Sequence, residues 1–232
     1  ALKDISFCAM AGQTIGVIGG TGSGKSTLVN LIPRFYDAAS GQVLVDGTDV
    51  REYSLDELRD KTGVVPQKSV LFKGTLRDNM RWGKQDASDE EIYRALDTAQ
   101  AREFVDSKGE GLDLYIDQGG HNLSGGQRQR LTIARALVRR PEVLIMDDSA
   151  SALDFATDAR LRKAIRENTG DMTVFIVSQR ATTIKSADTI LVLDEGRLAG
   201  MGTHKELLKD CQVYREICLS QLSKEEVERD EQ

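Results

Sequence analysis

The sequence predicts an α/β fold, on three observations: short β-rich runs bounded by turn residues, helical periodicity between them, and a glycine-rich loop joining a strand to a helix. Thr14 to Ile18 (TIGVI) reads as the first strand, and a helix opens near Ser26. Gln42 to Val45, Thr62 to Val65, Val143 to Met146, Thr173 to Ser178 and Thr189 to Leu193 are further strands, with Asp46-Gly47 and Glu195-Gly196 as turns. Between Ser69 and Arg139 the strand signal disappears. There Ile92, Ala95, Leu96 and Ala99 recur at helical spacing after Ser88, whose Ser-x-x-Glu91 pattern predicts a capping box. The spacing therefore predicts a core over residues 1–68 and 140–210, a helical subdomain inserted at 69–139, and a C-terminal helix with a charged tail at 211–232. The opening ALKDISF reads like a strand entered part-way, as in a fragment of something longer, and the closing KEEVERDEQ like a fraying helix end or tail.

A chain of 232 residues, 40% hydrophobic, is long enough for one domain with a real core. Its 31 basic and 37 acidic residues leave a formal charge of -6, so no chain-wide basic field favours nucleic acid as a partner. Cys8, Cys211 and Cys218 form no CxxC pair and match no zinc spacing, which leaves them as buried or idle thiols. No apolar run approaches the roughly 20 residues needed to cross a bilayer.

GGTGSGKST, Gly19 to Thr27, carries the G-x-x-x-x-G-K-S pattern after a strand and at a helix start. Its glycines let backbone N–H groups wrap phosphates, Lys25 meets the β and γ oxygens, and Ser26 ligates Mg²⁺. A nucleoside triphosphate is the expected ligand. LSGGQRQR, Leu123 to Arg130, supplies a second candidate cradle, at the head of the helix carrying Leu131, Ala134, Leu137 and Val138. Ser124 with Gln127 makes a capping box, but Gly125-Gly126 in the first turn costs about 1 kcal/mol per glycine against alanine, which close approach of a phosphate would explain. Two cradles for one triphosphate point to a head-to-tail dimer.

The order GGTGSGKST, Gln67 in VVPQ, LSGGQ, VLIMDD and SALD resembles the nucleotide-binding domain of an ABC transporter over nearly the whole chain. PQKSVLFKGTLRDNMRWG and GTHKELL are similar to exporter-type members, in which a six-helix membrane domain precedes this one. The resemblance implies a RecA-like P-loop NTPase core with an antiparallel β part and an inserted helical subdomain. It implies an ATPase with ATP and Mg²⁺ as cofactors. Gly20, Thr21, Gly22, Ser23, Gly24, Lys25, Ser26 and Thr27 would hold the phosphates, with Ser26, Gln67 and Asp147 at the metal. Ser124, Gly125, Gly126 and Gln127 would complete a partner's site, and Ser151 to Asp154 would cross the dimer interface. Gln67 and the residues to Trp82 would face the coupling helices of a transmembrane domain, at the cytoplasmic face of the cell membrane. Ordinary packing is the competing reading for Trp82. Arg128, Arg130, Arg135, Arg139 and Arg140 read as a helical surface near phosphates, and His121 and His204 as surface or capping residues.

Four departures from the family pattern stand out. Asp148 replaces the glutamate that polarises the attacking water, setting its carboxylate on the order of 1 Å short, and Gln179 stands where the family has a switch histidine. Asp117 and Gln118 replace a Gly-Glu pair before LSGGQ, and the adenine-stacking aromatic would lie upstream of Ala1. The first two weaken one site while LSGGQ is intact. That asymmetry resembles heterodimeric exporters, in which one subunit's degenerate site holds ATP and its signature motif serves the partner's competent site. A DNA-acting ATPase of the same architecture needs a coiled coil or zinc insert that residues 69–139 lack. A regulatory ATP switch without turnover remains the third reading.

Replacing Lys25 by Ala should weaken fluorescent-nucleotide binding markedly while circular dichroism stays unchanged. Undiminished affinity would remove the phosphate-cradle reading.

Overall fold

Alternation of apolar side chains builds the central sheet. In the computed structural model, which describes residues 2–148 and 153–231, strand β1 (Thr14–Gly19) sends Ile15 and Val17 to one face and Ile18 to the other, the period of two that a pleated strand imposes. The chain continues through α1 (Lys25–Asn30), the hairpin β2 (Leu44–Val45) and β3 (Thr48–Asp49), α2 (Leu55–Lys61) and β4 (Thr62–Val65). Next come β5 (Gly74–Thr75), α3 (Leu76–Arg81), α4 (Asp89–Thr98), α5 (Arg102–Ser107), β6 (Tyr115–Ile116) and α6 (Gly125–Leu137). The last part is β7 (Val143–Asp147), α7 (Phe155–Asn168), β8 (Thr173–Val177), α8 (Ala181–Ile184), β9 (Thr189–Asp194), β10 (Arg197–Gly202), α9 (His204–Asp210), α10 (Gln212–Gln221) and α11 (Lys224–Glu231).

The main sheet has six strands in the order β10-β9-β1-β8-β7-β4. All neighbours are parallel except β10, which returns antiparallel on β9. Both faces are covered, so the inner strands are apolar on both sides. Leu144, Met146, Val174, Ile176, Ile190 and Val192 join the core shared with α4 and α6, while Ile145, Phe175, Val177, Leu191 and Leu193 pack with Leu28 and Val29 of α1 on the opposite face. Both turn dipeptides, Asp46-Gly47 and Glu195-Gly196, have φ values of 50, 75, 45 and 81°. Paired positive φ is the geometry of a tight type I′ hairpin, which glycine accommodates at the second place.

Several local expectations need correction. Residues 2–13 form no strand: their backbone meets the neighbouring chain only in isolated backbone bonds, Lys3 N–H donating to Gly196 O at 2.8 Å and Gln13 O accepting from Val174 N–H at 2.9 Å, although Ile5, Phe7 and Ala9 still pack on the core. The alternation there reports burial without a ladder. The Gln42–Val45 run is strand only at Leu44–Val45, with Val43 O accepting from Val50 N–H at 2.9 Å just before it, and the 173–178 run stops at Val177. Inside the helical stretch, β5 pairs with β6 over two residues, too few to leave an alternating pattern. Strand β10, RLAGMG, has no apolar run and is held by its hairpin to β9. The charged C-terminal run is helix α11, with Val227 at 1% exposure, so it is a docked element rather than a free tail. Among the described residues no helix is long and apolar enough to cross a membrane.

Gly16 faces α8, where an added Cβ would lie 2.9 Å from Ile184 Cβ and 3.3 Å from Ala187 Cβ. Valine there has to displace α8 from the sheet. Gly16→Val should therefore cost about 1–3 kcal/mol in urea unfolding; an unchanged midpoint would contradict this packing.

Candidate functional site

Parallel strands carry their C-terminal ends to one edge of the sheet, and that edge gathers the candidate residues. The register pairs Val17 with Val177, Asp147 with Val177, and Val65 with Met146. Beyond these ends lie the glycine loop after β1, Gln67 after β4, Asp147 and Asp148 at the end of β7, and Gln179 after β8.

The loop has the shape of an anion cradle. At Gly19 a Cβ would meet Leu193 O at 2.1 Å, so only glycine lets the chain turn there, whereas at Gly20 and Gly22 nothing lies within 4 Å, leaving open space over the backbone. Helices α2, α3, α4, α6 and α9 each begin with a reciprocal capping box, but α1 begins at Gly24 with no side-chain cap. Its first amides therefore lack a side-chain acceptor, the condition that favours an anion. Ser23 Oγ is buried with no hydrogen-bond partner among the described residues. Lys25 is buried, and its ammonium donates to Gly19 O and Gly20 O, both at 2.8 Å. Burial pushes the Lys25 pKa down, against the opposing pull of Asp148 and Asp147.

Oxygen ligands suited to a hard cation stand beside it. Ser26 Oγ donates to Asp147 Oδ1 at 3.1 Å. Burial raises the Asp147 pKa, the Ser26 hydrogen bond lowers it, and the like charge of Asp148 raises it again. Gln67 Nε2 donates to Asp148 Oδ2 at 3.2 Å. Asp148 has φ 45°, a left-handed conformation for which aspartate is among the better tolerated residues, and its N–H continues the sheet by donating to Val177 O at 2.9 Å. The short carboxylate is thus engaged by the Gln67 amide. The site joins Lys25, Ser26, Gln67, Asp147 and Asp148 through direct contacts or charge; Gln179 lies exposed at the end of β8, with its backbone carbonyl accepting from Gln221 Nε2 at 2.7 Å. The Gln221 contact is invisible in the sequence, because glutamine near the end of a helix carries no signature.

The second cradle lies apart. Ser124 caps α6, its Oγ accepting from Gln127 N–H at 3.2 Å while Gln127 Oε1 accepts from Ser124 N–H at 3.0 Å. No hydrogen bond joins residues 124–127 to residues 19–27 among the described residues. Asp154 caps α7 by accepting from Thr157 N–H at 2.9 Å, while Ser151 and Ala152 of the same expected loop lie outside the described residues.

Four of the five neighbouring arginines donate to carbonyls, and Arg140 is exposed. Arg128 reaches Leu123 O at 2.6 Å, Arg130 Gln100 O at 2.5 Å, Arg135 Val70 O at 2.9 Å and Arg139 Gly83 O at 2.7 Å. They staple loops to α6 and its C-terminal end. His204 is neither a surface nor a capping residue: Thr203 is the cap, and the His204 ring meets Tyr214 Oη at 2.8 Å with Asp230 at 3.4 Å. Burial pushes its pKa down, partly offset by Asp230. Cys211 and Cys218 are buried and Cys8 exposed, all free, and burial pushes the Cys218 thiol up to about 11. A broad cleft opens to one side, between residues 2–11, the β2 region and the ends of α4, α6 and α7, but only Thr27 of the glycine loop reaches it.

A family model described as ABC transporter matches residues 2–151, more than half of the chain. The chain belongs to the ABC transporter family. Among curated relatives, it is 49% identical to an uncharacterized ABC transporter ATP-binding protein of Mycobacterium bovis, over 95% of this chain and 38% of that one. It is 43% identical to an ATP-dependent lipid A-core flippase of Haemophilus influenzae, over 96% of this chain and 38% of the flippase. Among solved structures, a bacterial Atm1-family ABC exporter with ATP bound superposes with a TM-score of 0.91 at 38% identity, covering 96% of this chain and 39% of the exporter. The chain thus spans about two fifths of the length of these relatives. The six-stranded sheet and its glycine loop are the P-loop NTPase core of the ABC fold.

Whether Asp147 serves a cation is measurable without turnover. Replacing Asp147 by Asn should leave thermal stability nearly unchanged and abolish most of the magnesium-dependent gain in triphosphate affinity; an undiminished gain would remove Asp147 from that role.

Proposed function

We propose that the chain is the ATP-binding motor domain of an ABC exporter, working at the cytoplasmic face of the cell membrane in a head-to-tail pair with a second nucleotide-binding domain of a different subunit. The exporter names among the relatives support the class, and the extent of their chains beyond the matched part leaves room for a membrane domain. The uncapped loop, the orphaned Ser23 hydroxyl and the Ser26–Asp147 pair fit ATP with Mg²⁺. The bound ion would neutralise phosphate charge. Gly20 to Thr27 would hold the phosphates, with Ser26, Gln67 and Asp147 around the metal. Ser124 to Gln127, separate from the chain's own loop, would close over the partner's nucleotide, and Asp154 would stand at the dimer interface. The exposed Phe72–Trp82 pair, with ring centroids 4.9 Å apart and Trp82 at 67% exposure, supports a docking face for coupling helices.

One observation carries the finer reading: the acid that should order water is a short Asp148 held by Gln67, and the switch position is a neutral Gln179. Asp148 is then a poor base, and Gln179 can donate a hydrogen bond but cannot bring positive charge. The chain's own site holds ATP and cleaves it slowly, while the partner's site turns over. With four of the five arginines around the second cradle committed to carbonyls, little basic surface is left for a nucleic-acid face.

Steady-state phosphate release from the assembled transporter tests this. Asp148→Asn should change turnover by less than about twofold, whereas removing the partner's equivalent acid should lower it by about 100-fold or more. Ser124→Arg should spare nucleotide binding to the subunit alone and abolish turnover of the pair. A collapse with Asp148→Asn equal to that of the partner variant would make Asp148 a working base.

A further inference from the structure

Helices α10 and α11 pack behind the switch segment. Tyr214 and Cys218 of α10 are fully buried, and Val227 of α11 is 1% exposed. His204 of α9 bridges the two helices through Tyr214 and Asp230, and Lys185, just past α8, reaches the same Asp230 at 3.4 Å. The last residue of α10, Gln221, projects from this support onto the switch. Its Nε2 donates to Gln179 O at 2.7 Å, and its Oε1 accepts from Ala181 N–H at 2.9 Å. One side-chain amide thereby pairs with the peptide groups on both sides of Arg180, as a neighbouring strand would. The rest of the segment is pinned elsewhere: Ser178 Oγ accepts from Arg180 N–H at 3.0 Å, Arg162 of α7 donates to Thr183 O at 2.6 Å, and Arg166 donates to Ser186 O at 3.3 Å.

We propose that Gln221 is a positioning residue that fixes the backbone at Gln179 and so aims the switch side chain at the γ-phosphate. The role rests on the reading of the chain as an ATP site. The amide serves both contacts because it carries its donor and its acceptor on separate atoms. Glutamate keeps the acceptor for Ala181 and turns a carboxylate oxygen toward the Gln179 carbonyl; alanine keeps neither bond. Gln221 is exposed, so these changes open no cavity in the core. The support makes the C-terminal helices part of triphosphate recognition, since a hydrogen bond from Gln179 to the γ-phosphate distinguishes ATP from ADP.

The test uses the full-length assembled transporter as wild type, Gln221→Ala and Gln221→Glu. Hydrogen exchange without nucleotide, resolved to the Ala181 amide, is measured beside photolabelling of this subunit with azido-ATP and azido-ADP. Gln221→Ala should speed Ala181 exchange about five- to tenfold, the effect of one lost hydrogen bond, with β1 and β8 unchanged. It should also lower the preference for ATP over ADP several-fold with ADP affinity intact. Gln221→Glu should keep Ala181 protected yet lose the same preference. Unaltered Ala181 exchange in the alanine variant overturns the clamp, and equal weakening of ATP and ADP overturns the aiming role. Wild-type protein that takes up neither nucleotide refutes the ATP-site reading itself and the aiming role with it, while the exchange result still decides whether the clamp exists.

Discussion

The register between β7 and β8 is the constraint on which the site depends. Asp147 pairs with Val177, and Asp148 extends the ladder by donating to Val177 O at 2.9 Å. A one-residue slip would turn every side chain of β7 to the opposite face, carrying the carboxylate of Asp147 from Ser26 on α1 to the apolar α6 side. Apolar residues on both faces of β7, β8 and β1 oppose that slip, because Ile145 and Phe175 belong to one core and Leu144, Met146, Val174 and Ile176 to the other. The chemistry at the sheet edge is therefore held in place by packing some residues away from it.

Electrostatics at that edge pull in compensating directions. Lys25 is buried among carbonyls with its pKa pushed down, and the carboxylates of Asp147 and Asp148 help to keep it charged. The two acids repel, which adds to the effect of burial in raising Asp147. A triphosphate and a divalent cation entering together would exchange these internal contacts for external ones: the ammonium from carbonyl to phosphate, the Ser26 hydroxyl from carboxylate to metal. Asp148 is already engaged by Gln67. On the proposed reading, that engagement and its short side chain make Asp148 a poor base.

Much of this was legible in the sequence because the signals were local. The glycine loop, the Ser88–Glu91 and Ser124–Gln127 caps and both hairpin dipeptides are written in adjacent residues, and each forms as its chemistry demands. Elements without local signals were not legible. β10 owes its existence to a partner strand, β5 and β6 to a two-residue pairing across some forty positions, and α11 to the burial of Val227 in an otherwise charged run. Residues 2–7 show the converse, a strand-like pattern that forms no ladder among the described residues, with a single backbone bond at Lys3. At the site, residue identities pointed to roles, but the engagement of Asp148 by Gln67 and of the switch backbone by Gln221 depends on three-dimensional juxtaposition alone.

If this chain keeps its nucleotide intact while a partner turns over, as proposed, the nucleotide left on each subunit after turnover will differ. The assembled transporter would be cycled with ATP labelled separately at the α and γ positions, freed of unbound nucleotide, and the label on this subunit counted. Equal α and γ label on this chain, beside loss of γ label from the partner, is the predicted result. Loss of the γ label from both subunits alike would show that Asp148 and Gln179 support hydrolysis, and would contradict the claim.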